Sequence, residues 1–248
     1  MYDPPGYVWA ITLAGVIAVP AATSVLLYGG GVRSGLSRGR AALLAGGAAA
    51  VFGAWFTASA VIADHGWYHT RLGHGVPWLP VAVFGFLGLL LALRKIPVVA
   101  RALTAPGMVS RLELPHTFRV AGVAFLITMA LGHLPALFAL PAGLGDIATG
   151  LAALLIAPRL AQGTGRRAAR WLNAFGLTDL VVALTLGALT AYQLVSVSPP
   201  GSAISLLPLA LVPTAEVPLL MTLHFTSLAA LARAPRTARR AAATLTVA

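Results

Sequence analysis

Six carboxylates are spread over the chain, and three of them, Asp146, Asp179 and Glu216, fall inside long apolar runs. A carboxylate at membrane depth is costly, so it faces a partner or a cavity and marks a place where protons, cations or a reacting molecule are handled. Asp179 lies nine residues past Arg170, roughly 13 Å along a helix, which puts it near mid-depth. Glu216 sits in Pro208-Leu-Ala-Leu-Val-Pro213-Thr-Ala-Glu216-Val-Pro218. Each proline removes a backbone donor, so Pro213 frees the carbonyl of Leu209 and Pro218 frees that of Thr214. A helix broken at mid-depth, with free carbonyls beside a carboxylate, is how membrane carriers bind cations or protons. The alternative is a kinked helix whose carbonyls are satisfied by Thr214 or by water. Asp146 follows Pro141-Ala-Gly-Leu-Gly and reads as first-turn acid near the outer interface, where it complements the helix dipole. In catalysis, Asp179 and Glu216 would form the acid–base pair, with Asp146 and His133 at the outer mouth.

Basic and imidazole side chains supply the other candidates. Arg119 falls at the inner end of an apolar run; snorkelling to headgroups explains it, and holding an anionic substrate group is the alternative. Thr214 and His224 complete this candidate substrate pocket. His65, His69 and His74 lie in one loop, and His133 near the end of a run on the same side. With a carboxylate they make a candidate site for a metal ion (zinc, copper or iron) at the outer side. The alternative is a polar interfacial loop bonded to headgroups. His133 and His224 could each ligate haem, but no paired spacing supports it.

The frame that must position these groups follows from composition. Hydrophobic residues make up 58% of 248 and charged residues 9%, with mean hydropathy +0.88. Soluble domains carry about 25% charged residues, so a soluble enzyme is excluded. There is no cysteine, which removes disulfides and thiolate chemistry. The net charge of +11 would in a soluble chain point to nucleic acid, but here the bases cluster between apolar runs, the pattern of membrane topology. The expected partner is a bilayer with anionic headgroups on the cytoplasmic side, not nucleic acid.

With about 20 apolar residues needed per crossing, the runs predict seven spans at about 7–29, 41–63, 77–98, 117–138, 142–161, 170–192 and 203–232. The fourth and fifth are separated at Pro135 and at the turn Pro141-Ala142-Gly143. Sixteen of the 17 bases fall on alternate loops and the tail; only Arg71 falls on the other side. By the positive-inside rule the N-terminus is outside and the C-terminus cytoplasmic. Tyr7, Trp9, Trp67, Tyr68, Trp78 and Tyr192 take interface-belt positions. The sequence thus predicts an all-α, polytopic seven-helix bundle in one domain, in a bacterial inner membrane.

Phe138-Ala-Leu-Pro-Ala-Gly-Leu-Gly-Asp146, Gly176-Leu-Thr-Asp179 and Leu211-Val-Pro-Thr-Ala-Glu-Val-Pro218 resemble segments of unassigned multi-pass bacterial inner-membrane proteins. The resemblance covers the second half of the chain and implies no catalytic residues. In size and topology the chain is also similar to integral-membrane terpene cyclases, though no motif of theirs matches. Microbial rhodopsins are excluded by the absence of a lysine in the last span.

Three functions fit the residues. The first is a membrane-embedded enzyme of cyclase or isomerase type acting on a lipid-soluble small molecule. The second is a proton- or cation-coupled carrier of a small solute. The third is a structural or partner-binding subunit whose acids bond between helices.

Overall fold

A computed structural model describes residues 2–69 and 76–245, with side chains through Arg233. Every regular element among them is helical. α1 (Gly6–Arg33) and α2 (Arg38–Asp64) form a hairpin, and Ser37 caps the second helix by accepting from the Arg40 amide at 3.4 Å. α3 (Trp78–Leu93) turns through 87° into α4 (Pro97–Leu103). After α5 (Met108–Leu112) a 3-10 helix (Leu114–Gly122) runs into α6 (Val123–Ala130). The chain keeps helical dihedrals through the junction at Gly122 and Val123. α7 (Ala136–Ala161) and α8 (Arg166–Ala191) pack as a second hairpin. A 3-10 turn (Gly201–Ser205) and a π-helical segment (Val212–Glu216) then lead into α9 (Val217–Leu245).

Among the described residues, five helices are long and apolar enough to cross a bilayer, and six if the bent α3–α4 pair counts as one. The expected third run, 77–98, is therefore shortened: α3 stops at Leu93 and Pro97 opens a new helix in another direction. The expected boundary between the fourth and fifth runs is also corrected. The break falls at Leu131–Pro135, where Gly132 has φ +77° and Pro135 precedes the first helical residue. α7 continues through Pro141, in its second turn.

The Pro-Ala-Gly sequence misled because glycine has two uses. At Gly143 it serves close approach and makes no turn. A Cβ there would stand 2.7 Å from Leu126 Cγ and 3.1 Å from the Gly122 carbonyl. Farther along the same face, a Cβ on Gly150 would stand 3.0 Å from the Val120 amide nitrogen. α7 therefore lies nearly backbone to backbone against the 3-10 helix, and this brings its polar residues to Arg119.

Candidate functional site: a buried carboxylate–arginine cluster

Among the described residues, Arg119 is the largest side chain with almost no exposure, at 1%. It does not snorkel, as position alone suggested. The close packing of α7 turns the 3-10 helix face inward and surrounds the guanidinium with acceptors. Nε donates to Asp146 Oδ1 at 2.7 Å, and a terminal amino group pairs with Asp179 Oδ2. The other amino group approaches His224 Nε2 at 3.2 Å and donates to the Gly176 carbonyl at 3.4 Å. Asp146, read from sequence as an interfacial first-turn acid, is ten residues into α7, about 15 Å along the helix. Asp146 and Asp179, expected at different depths, share one cation.

The hydrogen-bond pattern fixes the imidazole. The Asn173 amide nitrogen reaches three oxygens, Glu113 Oε1 at 2.8 Å, the Ala169 carbonyl at 2.8 Å and Ser227 Oγ at 3.2 Å. Asn173 Oδ1 is therefore the acceptor facing His224 Nδ1 at 2.8 Å, so Nδ1 carries the proton. Nε2 is then a bare acceptor for the Arg119 donor. His224 is a neutral connector, locked between a cation and an amide, and it joins Arg119 to Glu113.

Two glycines make room for the cluster. A Cβ on Gly145 would collide with Asp179 Oδ1, and one on Gly176 would stand 2.5 Å from His224 Nε2 and 3.0 Å from an Arg119 amino group.

Glu216 closes the π-helical segment and is 5% exposed, with no hydrogen bond to another described residue. Its carboxyl, Asp146, Arg119 and Thr12 line one cavity of about 10 Å³, close to the space of a single water. The Thr12 hydroxyl is likewise buried without a partner. The carbonyls freed by proline are not available beside it. Thr214 O accepts the Trp55 indole N–H at 2.9 Å, and Leu209 O accepts from the Val212 amide at 3.0 Å. The break in the helix is present, but both carbonyls are occupied, which disfavours cation coordination through them. The Thr214 hydroxyl bonds the Ala210 carbonyl at 2.7 Å and Ser59 Oγ at 2.6 Å, and Ser59 continues to Tyr68 OH at 3.0 Å.

Three cavities run in series from this point. The one beside Glu216 shares Asp146, Phe125 and Val212 with an apolar slit of about 40 Å³. The slit in turn shares Leu79 and Ala188 with a polar pocket of about 210 Å³ lined by Tyr68, His69, Tyr192 and Ser205. The string ends where α2 and α8 terminate, at the end expected to face outward.

The structure does not gather the candidate metal ligands. His65 bonds its own helix at Val61 O, 2.8 Å; His69 Nδ1 lies 3.1 Å from Ser205 Oγ; His133 meets the Tyr2 ring edge-on at 5.3 Å. Each is held by a different element, and His74 lies outside the described residues, as does Arg71. Among the described residues no three histidines or carboxylates are grouped to hold a metal ion.

Four participants escaped the sequence analysis as members of the cluster: Glu113, His116, Asn173 and Ser227. Glu113, read as a loop acid, has no exposure and accepts Ser227 Oγ–H at 2.5 Å. Burial pushes its carboxyl up to about 7, against the pull of hydrogen bonds from Ser227 and Asn173. His116 stacks on His224 with ring centroids 3.7 Å apart, and neither of its nitrogens has a partner. The flanking Leu112 and Leu114 were the one local sign that Glu113 is buried.

Fold and site together define an all-helical protein of membrane-spanning character built around a buried ionic cluster. Residues 76–232 match the family described as Domain of unknown function (DUF8737), and the chain belongs to that family. The matched region contains Glu113, Arg119, Asp146, Asn173, Asp179, Glu216, His224 and Ser227. No curated protein and no solved structure matches the chain.

Proposed function

We propose that the protein is a proton-coupled carrier of a small solute, with Asp146, Asp179 and Glu216 as the proton-binding groups and Arg119 as their fixed counter-charge. One observation carries this reading: Asp146 and Asp179 pair with a single guanidinium, and a third carboxyl, Glu216, faces a water-sized cavity shared with Arg119 and Asp146 without a hydrogen-bond partner. One cation balances one carboxylate, so electroneutrality of the cluster calls for two protons, and unpaired charge in such a place costs several kcal/mol. Gain or loss of a proton at Glu216 therefore changes the balance that holds Arg119 between α7 and α8. The π-helical turn carrying Glu216 suits this use, since such insertions recur at functional sites.

The cavities support access from one end and the Arg119–His224–Asn173–Glu113 connection supports it from the other. A membrane enzyme acting on a lipid-soluble molecule needs space beside its acids, and ligand pockets measure about 300–1,000 Å³. The spaces reaching these carboxyls measure about 10 and 40 Å³, enough for water and protons but not for a reacting molecule. The polar pocket of about 210 Å³ in series with them has room for a small solute apart from the acids, which favours the carrier reading. A purely structural cluster accounts for Arg119 with Asp146 and Asp179 but leaves Glu216 without a role.

In this reading the protein lies in a bacterial inner membrane with its N-terminus outside, supported by the one-sided distribution of the bases. A seventh crossing is supplied by Leu114–Ala130. A 3-10 rise of about 2.0 Å per residue gives this short stretch a length of about 30 Å, the thickness of the hydrocarbon core. The test is uptake from a pooled, mass-tagged metabolite extract into proteoliposomes under an imposed pH gradient. We expect uptake that collapses with a protonophore and in Glu216→Gln. Uptake indifferent to pH gradient and membrane potential would contradict coupling.

A further inference from the structure

A second, apolar space lies away from the cluster. It is a lateral groove of about 380 Å³ between α2 and the α3–α4 bend, floored by α1 and α9. The stacked rings of Trp55 and Phe86, 4.9 Å apart, join α2 to α3 and Phe52 of the same α2 face lines the groove. α4 is pressed onto α1 so closely that a Cβ on Gly30 would collide with the Ala102 carbonyl, which fixes the bend. The wall is almost entirely hydrocarbon: Leu44, Val51 and Phe52 from α2, Leu90 from α3, Leu223 from α9. The threonines on it are turned inward on their own helices; Thr23 bonds Val19 O at 2.8 Å and Thr226 bonds Thr222 O at 2.7 Å.

The exception is Arg94. It lines the groove at the end of α3, half-buried, with no ion pair or hydrogen bond to another described residue. Lys95 follows it, exposed, and no carboxylate lines the groove. An apolar trough with an unpaired guanidinium at its end is complementary to a molecule with a hydrocarbon chain and an anionic head. We propose that the groove is a binding site for a single anionic glycerophospholipid, with an acyl chain between α2 and α9 and its phosphate on Arg94. The lipid would complete the gap that the bend leaves beside α2, a helix otherwise held mainly by α1. This site is independent of the proton-binding reading.

The test measures lipid retained on the purified full chain by native mass spectrometry. The protein is equilibrated in detergent with phosphatidylglycerol and phosphatidylcholine of equal chain length. We expect one phosphatidylglycerol retained with a preference of about fivefold, the worth of about one basic residue at an anionic surface. Arg94→Gln should abolish the preference and Arg94→Lys should keep it. Gly47→Phe, at a groove position where a Cβ meets nothing within 4 Å, should abolish retention of either lipid while the protein stays folded. Arg101→Gln, on an exposed base outside the groove, should change nothing. Equal retention of the two lipids by the wild type, preference surviving in Arg94→Gln, or retention surviving in Gly47→Phe would each overturn the proposal.

Discussion

At the scale of single residues, Arg119 is where the fold and the chemistry meet. Removing one partner of a buried ion pair costs about 3–5 kcal/mol, because the remaining charge stays buried and unpaired. Arg119→Gln leaves the cluster's one balancing carboxylate buried without a cation, and chemical unfolding in detergent should place its cost within that range. Asp179→Asn should cost less, since Asp146 keeps the guanidinium paired. Glu113 gives a separate, pH-dependent prediction. Its carboxyl rises from an ordinary 4.5 to about 7 on folding, so the native state binds the proton more tightly than the unfolded chain. Stability from this group is full below pH 4.5, falls as pH rises toward 7, and changes no further above it. The total is about 3 kcal/mol, and Glu113→Gln should flatten that slope in melts between pH 4.5 and 7. The membrane-depth rule was enough to single out Asp146, Asp179 and Glu216. Their convergence on Arg119 was not legible, because hydropathy assigns depth along each helix and says nothing of which faces meet.

At the scale of elements, the contacts between helices rest on glycines and on one rescued carbonyl. Gly145→Ala forces the Asp179 carboxyl aside, and overpacking of this kind costs about 1–3 kcal/mol. Gly46→Ala on α2, with nothing within 4 Å of the added methyl, should instead be neutral or stabilise by up to about 1 kcal/mol through helix propensity. A pair of thermal melts separates close approach from propensity. Trp55→Phe keeps the stacking ring but removes the donor to the Thr214 carbonyl. An unsatisfied buried acceptor costs about 1–3 kcal/mol, and the loss should be seen without disruption of the helical circular dichroism. The long runs at α1, α2, α7, α8 and α9 were readable from hydropathy alone. The 3-10 helix was not, because Leu114–Gly122 carries Pro115, His116, Thr117 and Arg119, a polar face that reads as a helix end until α7 covers it. The carbonyl freed by Pro218 could be named in advance, but its partner lies 159 residues away, beyond any local pattern.

At the scale of the whole molecule, topology and proton binding can be tested on the same protein, since the absence of cysteine makes single-cysteine labelling clean. A cysteine at Gln162, in the turn between α7 and α8, should react with an impermeant maleimide only from the cytoplasmic side, and one at Ser196 only from outside. Labelling of both from one side would contradict the proposed orientation. The proposed orientation rests on the one-sided bases, a pattern the sequence carries by itself, whereas the cavities joining Tyr68 to Glu216 depend on how α2, α3, α7, α8 and α9 meet and had no sequence signal. The account stands most directly on proton binding at Glu216, which infrared difference spectroscopy across a pH step reads in the reconstituted protein. In a Glu113→Gln background, we predict protonated-carboxyl bands that are lost as pH rises, one of which is absent when Glu216→Gln is added. Bands all unchanged by Glu216→Gln, or no protonated carboxyl at any pH, would contradict the account.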